Sequence, residues 1–202
     1  MAIRAVIFDI GGVLEYTPAT GWQECWADRL GLPEADLAAR LDPLARAGNL
    51  GQITLPEFER GVAASLGLGP ADLAHFMADL WAEYLGTLNT ELTDYFAGLR
   101  PRYKTGILSN SFVGAREREQ EAYGFADLCD LVVYSHEEGM QKPDPRFYRL
   151  ASGRLRVAPE EAVFLDDMQD RVEAARAVGM HGVLFETNEQ AIADIEACLR
   201  AG

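Results

Sequence analysis

The chain opens on an apolar run, Ala5-Val6-Ile7-Phe8, that meets Asp9, passes Ile10 and turns at Gly11-Gly12 before Val13 and Leu14. A short, unbroken apolar run predicts a strand buried on both faces, as at the centre of a parallel sheet. The period then changes. Trp22, Trp26, Leu30 and Leu32 recur near helical spacing, and so do Leu37, Leu41 and Leu44. Thr54-Leu55-Pro56-Glu57 has the form of a capping box ahead of Phe58, Val62, Ala63 and Leu66. Pro70 opens another helical pattern through Leu73, Phe76, Met77, Leu80, Trp81 and Tyr84. Residues 16–86 therefore read as about four consecutive helices with no strand, and their aromatic residues read first as core packing.

From residue 89 the pattern alternates. A helix through Leu92, Tyr95, Phe96 and Leu99 precedes a strand, Thr105 to Asn110. A charged helix over 113–123 precedes the strand Leu131 to Ser135, and a helix from Pro145 to Leu155 precedes the strand Ala162 to Asp167. A helix from Val172 to Val178, closed by Gly179, precedes the strand Gly182 to Phe185, and the last helix covers 188–200. Such alternation predicts an α/β fold, a parallel five-stranded sheet with right-handed helical crossovers. On this reading residues 1–15 and 87–202 form the core domain, and residues 16–86 are a helical bundle inserted after the first strand.

Composition narrows the partners. The 202 residues are 49% hydrophobic, ample for a packed core, and the formal net charge is −14. A chain this acidic repels nucleic acid and anionic membrane surfaces, so no nucleic-acid or membrane partner is expected. No apolar run approaches the roughly 20 residues of a membrane span. The amino terminus leads straight into a strand, and Cys25, Cys129 and Cys198 are odd in number and scattered. Both features favour a cytoplasmic protein with reduced thiols and no metal at cysteine. Oligomeric state is open.

Polar groups end three of the predicted strands: Asp9, then Ser109-Asn110, then Asp166-Asp167. In a parallel sheet these ends converge on one edge, where open α/β sheets bind their ligands. Three converging carboxylates repel one another, and a hard divalent cation relieves this; all-oxygen donors favour magnesium over zinc. Between the third strand and the next helix lies Gln141-Lys142-Pro143-Asp144-Pro145. Its prolines stiffen the backbone around Lys142, a cation able to neutralise an incoming anion. Singly, Lys142 reads as a surface lysine, Asp9 as a turn carboxylate, and Asp166-Asp167 as acids at a helix start. Together and in this order they point to phosphoryl transfer, where catalysis is mostly positioning and charge stabilisation.

The segments Phe8-Asp9-Ile10-Gly11-Gly12-Val13-Leu14, Leu108-Ser109-Asn110, Gln141-Lys142-Pro143-Asp144-Pro145 and Phe164-Leu165-Asp166-Asp167 resemble the four motifs of the haloacid dehalogenase-like hydrolase superfamily. The resemblance spans essentially the whole chain, and the helical insertion is similar to the small helical cap of type C1. It implies a Rossmann-like core and a magnesium-dependent phosphatase acting on a small phosphorylated metabolite. Similarity to sugar 1-phosphate phosphatases and to the phosphatase domain of bifunctional epoxide hydrolases implies a sugar phosphate. By this resemblance Asp9 is the nucleophile that forms an aspartyl-phosphate, Ser109 and Asn110 bind phosphate oxygens, and Lys142 steadies nucleophile and phosphate. Asp9, Asp166, Asp167 and the carbonyl oxygen of Gly11 hold Mg2+.

Two positions depart from the family pattern. Gly11 stands where most of its phosphatases have an aspartate as general acid and base. Arg171 stands where an asparagine often follows the paired aspartates, which implies altered support of the site only. A weakly basic leaving oxygen, as in a sugar 1-phosphate or a similarly activated ester, needs the missing acid least. Glu15 is close in sequence and reads as a solvated carboxylate where the helical block begins. Two other readings compete: a 2-haloacid dehalogenase-type hydrolase needing no metal, and a module that binds phosphorylated ligands without turnover.

Overall fold

The computed structural model describes residues 2–201. β1 (Ala5–Phe8) leads through a two-residue strand, β2 (Glu15–Tyr16), into α1 (Trp22–Leu30), α2 (Glu34–Asn49), α3 (Leu55–Leu66) and α4 (Pro70–Leu85). The chain returns through β3 (Thr87–Leu88) to α5 (Thr90–Gly98), β4 (Lys104–Ser109), α6 (Ala115–Tyr123) and α7 (Phe125–Leu128). β5 (Leu131–Tyr134), α8 (Ser135–Glu138), α9 (Pro145–Leu155) and β6 (Ala162–Asp166) follow, then α10 (Gln169–Ala177), β7 (His181–Leu184) and α11 (Asn188–Ala201). The five long strands form one parallel sheet in the order β5-β4-β1-β6-β7, as the alternation predicts.

β1 is central, and all four of its residues are buried. Alternate side chains serve opposite faces, as the strand period of two requires. Val6 and Phe8 pack with Leu92 and Phe96 of α5 and Ile195 of α11, while Ala5 and Ile7 pack with Phe147 and Tyr148 of α9 and Ala175 of α10. Two apolar layers therefore hold the sheet, and the carboxyl ends of β1, β4 and β6 stay in register. Phe8 lies beside Ile107 on one side and Leu165 on the other.

The helices α1 to α4 enclose a third apolar cluster that includes Trp26, Leu37, Phe58, Val62, Phe76 and Trp81. The box ahead of α3 forms: Glu57 N donates to Thr54 Oγ1 at 3.4 Å, and Thr54 N to Glu57 Oε2 at 2.8 Å. Phe112 and Val113, from the loop after β4, belong to the same cluster. The Phe112 ring meets Phe58 edge-on at 4.6 Å, and a Cβ at Gly48 would lie 2.3 Å from it. The β4 loop is thus driven into the helices and docks them on the sheet.

The expectation of no strand between 16 and 86 needs one correction. β2 and β3 pair antiparallel, Glu15 with Leu88 and Tyr16 with Thr87, making a small ribbon where the chain enters and leaves the helices. Two residues are too few for a period-two pattern to register. Among the described residues no helix is long and apolar enough to cross a membrane.

Candidate active site

Asp9 follows directly on β1, and its N–H donates to the carbonyl of Leu165 at 2.9 Å, which fixes it beside the end of β6. Asp166 ends β6, and its Oδ1 accepts from Met168 N at 2.9 Å. One oxygen from each of Asp9, Asp166 and Asp167 lies within 4.8 Å of the others. Asp9 and Asp166 are buried, and Asp167 is partly exposed.

Lys142 lies in the same place. Only 1% of the residue is exposed, and Nζ stands 2.7 Å from both Asp9 Oδ1 and Asp166 Oδ2. A buried ammonium is stable only with such partners, because burying a charge alone costs several kcal/mol. Asn110 holds its loop: Lys142 N donates to Asn110 Oδ1 at 2.8 Å, and Asn110 Nδ2 donates back to the Lys142 carbonyl at 2.9 Å. Beyond Lys142, Asp144 caps α9, accepting from Arg146 N at 2.9 Å, with Pro145 at the first helical position.

Arg171, in α10, is the residue the sequence undervalues. Its Nη1 lies 3.2 Å from Asp9 Oδ2 and 3.7 Å from Asp166 Oδ1. Asp9 is therefore held from three directions: Ile10 N and Lys142 at Oδ1, Arg171 at Oδ2. The family pattern marks position 171 only as a departure, and a helical period shows which positions share a face but not which face meets a neighbouring strand end, so the contact of Arg171 with Asp9 is not legible.

Above these groups opens a cleft of about 500 Å³, lined by Asp9, Gly11, Gly12, Asn110, Asp167 and Arg171, with Tyr16, Thr17 and Met168 at its margin. Ser109 is buried at the end of β4 and is not part of this lining. Gly12 has φ +75°, and a Cβ there would stand 2.4 Å from Asp167 Oδ2, so only glycine fits. Gly11 is under no such constraint, since its Cβ would meet nothing closer than Glu15 Oε1 at 3.6 Å.

Crowding shows in the acidities. Burial, then the Asp9 charge, pushes the Asp166 carboxyl up to about 7, against the pull of Lys142. Burial and Asp9 also raise Asp167, opposed by Arg171. Glu15 is not the solvated carboxylate the sequence suggests: it is 2% exposed, and its Oε1 accepts from the Thr17 hydroxyl. Burial, with smaller contributions from Asp9 and Asp167, pushes it up to about 7.

The donor set suits a small hard cation. Asp9, Asp166 and Asp167 offer only carboxylate oxygens, and Asp167 Oδ1 is buried without a hydrogen-bond partner.

A buried carboxylate after β1, a buried lysine and an acidic pair at the end of the adjacent parallel strand make up a definite arrangement, and the sequence pattern of the haloacid dehalogenase-like hydrolases matches residues 3–179. The chain belongs to this family. It is similar to a phosphatase of Mycobacterium tuberculosis, 31% identical over 94% of this chain and 90% of that protein. It is also similar to D-ribitol-5-phosphate phosphatase of Bacteroides thetaiotaomicron, 26% identical over 92% and 90% of the two chains. Mouse acyl-CoA dehydrogenase family member 10 is 29% identical over 97% of this chain, which spans only 19% of that much longer protein. The fold matches the crystal structure of a HAD family enzyme from Bacteroides thetaiotaomicron in complex with magnesium and inorganic phosphate. There the TM-score is 0.78 at 22% identity, over 92% of this chain and 95% of that one.

Proposed function

We propose that this hydrolase is a magnesium-dependent phosphatase that cleaves a small phosphorylated metabolite through an aspartyl-phosphate on Asp9. The observation that carries the reading is Lys142, buried between Asp9 and Asp166 beneath the cleft. A lysine so placed pairs with the Asp9 carboxylate and aims it while leaving its second oxygen to attack. The phosphatase names of two relatives, and the magnesium and phosphate bound by the fold neighbour, support the same reading.

In this reading Asp9 attacks phosphorus, and the ester oxygen departs with the bonding pair. Ser109, Asn110 and Lys142 bind the phosphoryl oxygens, Arg171 adds a second cation beside them, and Asn110 also keeps the Lys142 loop in place. Asp9, Asp166, Asp167 and the Gly11 carbonyl hold the cation. A bound magnesium ion would neutralise charge building on the transferred group. Residues 16–86 act as a cap over a core made of 1–15 and 87–202. Gly11 offers no proton, so the favoured esters have a weakly basic leaving oxygen, and a sugar 1-phosphate is one such ester.

The acidic pair Asp166-Asp167 argues against a metal-free attack on carbon. The test is release of phosphate from a panel of phosphorylated metabolites, and of chloride from 2-haloacids, each with magnesium and with excess EDTA. Phosphate release that EDTA abolishes is expected. Chloride release that survives EDTA would overturn the reading, and tight phosphate binding without turnover would leave only a binding module.

A further inference from the structure

A second cavity, of about 270 Å³, opens where the helices meet the sheet. It shares Thr17 with the cleft over Asp9, and its wall residue Phe112 follows the cleft residue Asn110 by two positions. The two spaces are neighbours across one short stretch of the β4 loop. Their linings differ sharply. Trp22, Ala45, Phe58, Leu80, Tyr84 and Phe112 make most of the second wall, and neither lysine nor arginine is part of it. Its one carboxylate, Glu83, is tied at Oε2, which accepts from Thr20 N at 2.9 Å and Thr20 Oγ1 at 2.5 Å. The rings are fixed in place: Trp22 meets Phe76 edge-on at 5.1 Å, and Phe58 meets Phe112 at 4.6 Å.

A polyol would have to give up water for a surface that is mostly rings and aliphatic groups. Its partners there would be Thr17, Gln23, Asn49, Glu83 and the Tyr84 hydroxyl, which stand at the edge of the apolar wall. Most of its buried hydroxyls would go unpaired, at a cost. A flat apolar group would gain from the same surfaces, both by leaving water and by ring–ring contact. The proton problem at residue 11 points the same way. A phenolic oxygen has a pKa of about 10 and departs without a general acid far more readily than an alkoxide.

We propose that this cavity takes the organic part of the substrate, and that the substrate is an aryl phosphate monoester with its phosphate over Asp9. This rests on the phosphatase reading and narrows it. In the first step a bond forms between an Asp9 carboxylate oxygen and phosphorus. The bond from phosphorus to the aryl oxygen breaks, and the aryloxide leaves with the electron pair and takes a proton from water. In the second step water attacks the phosphorus of the aspartyl-phosphate, Asp9 departs as carboxylate, and the water's proton goes to solvent. The products are a phenol and inorganic phosphate.

The experiment uses the magnesium-loaded full chain with 2-naphthyl phosphate, α-D-glucose 1-phosphate and acetyl phosphate. Acetyl phosphate is activated but has almost no organic part, so its hydrolysis reports on the phosphatase reading alone. Because aryl esters are intrinsically reactive, two measurements carry the decision. The first is Ala45→Phe, which fills the cavity. It should lower the ratio of kcat/KM for 2-naphthyl phosphate to that for acetyl phosphate at least tenfold. The second is calorimetric binding to the Asp9→Asn protein, which needs no turnover and no Ala45 variant. 2-Naphthyl phosphate should bind at least tenfold tighter than glucose 1-phosphate, since each methylene-sized group buried is worth roughly a fourfold gain. Equal or tighter binding of the sugar ester, or a ratio unmoved by a folded Ala45→Phe protein, would overturn the proposal. Either result leaves the phosphatase reading standing if acetyl phosphate is hydrolysed.

Discussion

The floor of the cleft and the wall beside it are built by opposite means. The floor consists of carboxylates at the ends of parallel strands, held by a few backbone hydrogen bonds and the sheet register, with Lys142 of the loop before α9 2.7 Å from both Asp9 and Asp166. The wall consists mostly of rings and aliphatic groups from α1 to α4 and the β4 loop, placed largely by side-chain packing. A floor of this kind performs one reaction on any ligand that brings the right group. A wall of this kind decides which ligand arrives, and it can be repacked without touching the chemistry.

Asp9→Asn separates the two most sharply. The amide is nearly isosteric but cannot attack phosphorus, so turnover should fall about 10⁴-fold or more, while the wall still binds the organic group. Steady-state kinetics with ligand binding on the same protein checks this. Near wild-type turnover, or a phosphoenzyme trapped on another residue, would break the assignment of the floor.

Arg171→Ala comes next. It removes one of the three groups holding Asp9 and one cation facing the cleft. The expected loss is about 10–10²-fold in kcat/KM, the scale of one charge-assisted hydrogen bond of 1.5–3 kcal/mol. Because the floor alone is altered, the loss should be the same for esters with large and small organic groups. A loss confined to one ester would place Arg171 in the wall.

Gly11→Asp sharpens the contrast from the other side. The cleft has room for a Cβ at this position, and the new carboxyl would stand near the leaving oxygen. An unactivated alkyl phosphate should gain about tenfold or more in kcat, and an aryl ester little, since positioned acids contribute about 10²–10⁴-fold only where a proton is needed. Glu15→Gln should do little to either, because Glu15 is buried outside the cleft lining. Loss of turnover in Glu15→Gln would show that Glu15 carries the proton and that Gly11 does not leave the site without an acid.

The same contrast explains what is legible in the sequence. Each piece of the floor is local: an apolar run that ends on Asp9, another that ends on Asp166-Asp167, a proline-flanked Lys142. The parallel sheet and its five strands follow from alternation. What escapes is set by contacts between distant segments. The β2–β3 ribbon joins residues 15–16 to 87–88. Arg171 reaches Asp9 from 162 positions away. Phe112 enters a cluster of helices that lies wholly before it in the chain, and Glu15 is buried by Thr17 and the chain around Gly86 instead of standing in water. Periodicity carries no record of which element a side chain will meet.

The smallest effect is expected where floor and wall touch. Glu119, in α6, is 3% exposed; the Tyr134 hydroxyl of β5 donates to its Oε2, and Tyr84 of α4 lies beside it. Tyr84 is part of the apolar wall, so this buried carboxyl ties the wall to the sheet. Burial pushes Glu119 up to about 7, the two tyrosines pull it down, and Glu15 and Asp9 add smaller upward pushes. The ordinary value is 4.5, so between 4.5 and about 7 the folded protein holds a proton that the unfolded chain has released. Stability contributed by the neutral form is therefore complete below 4.5 and is lost as pH rises through 7. The 2.5-unit difference bounds the loss at about 3 kcal/mol. Glu119→Gln keeps the shape and a neutral side chain at every pH, so its Tm should match wild type at pH 5 and exceed it by several degrees at pH 8. Thermal melts of the pair at both pH values make the check. A variant less stable than wild type at pH 8 would mean that the charged carboxylate, held by its tyrosines, is what ties the wall to the sheet.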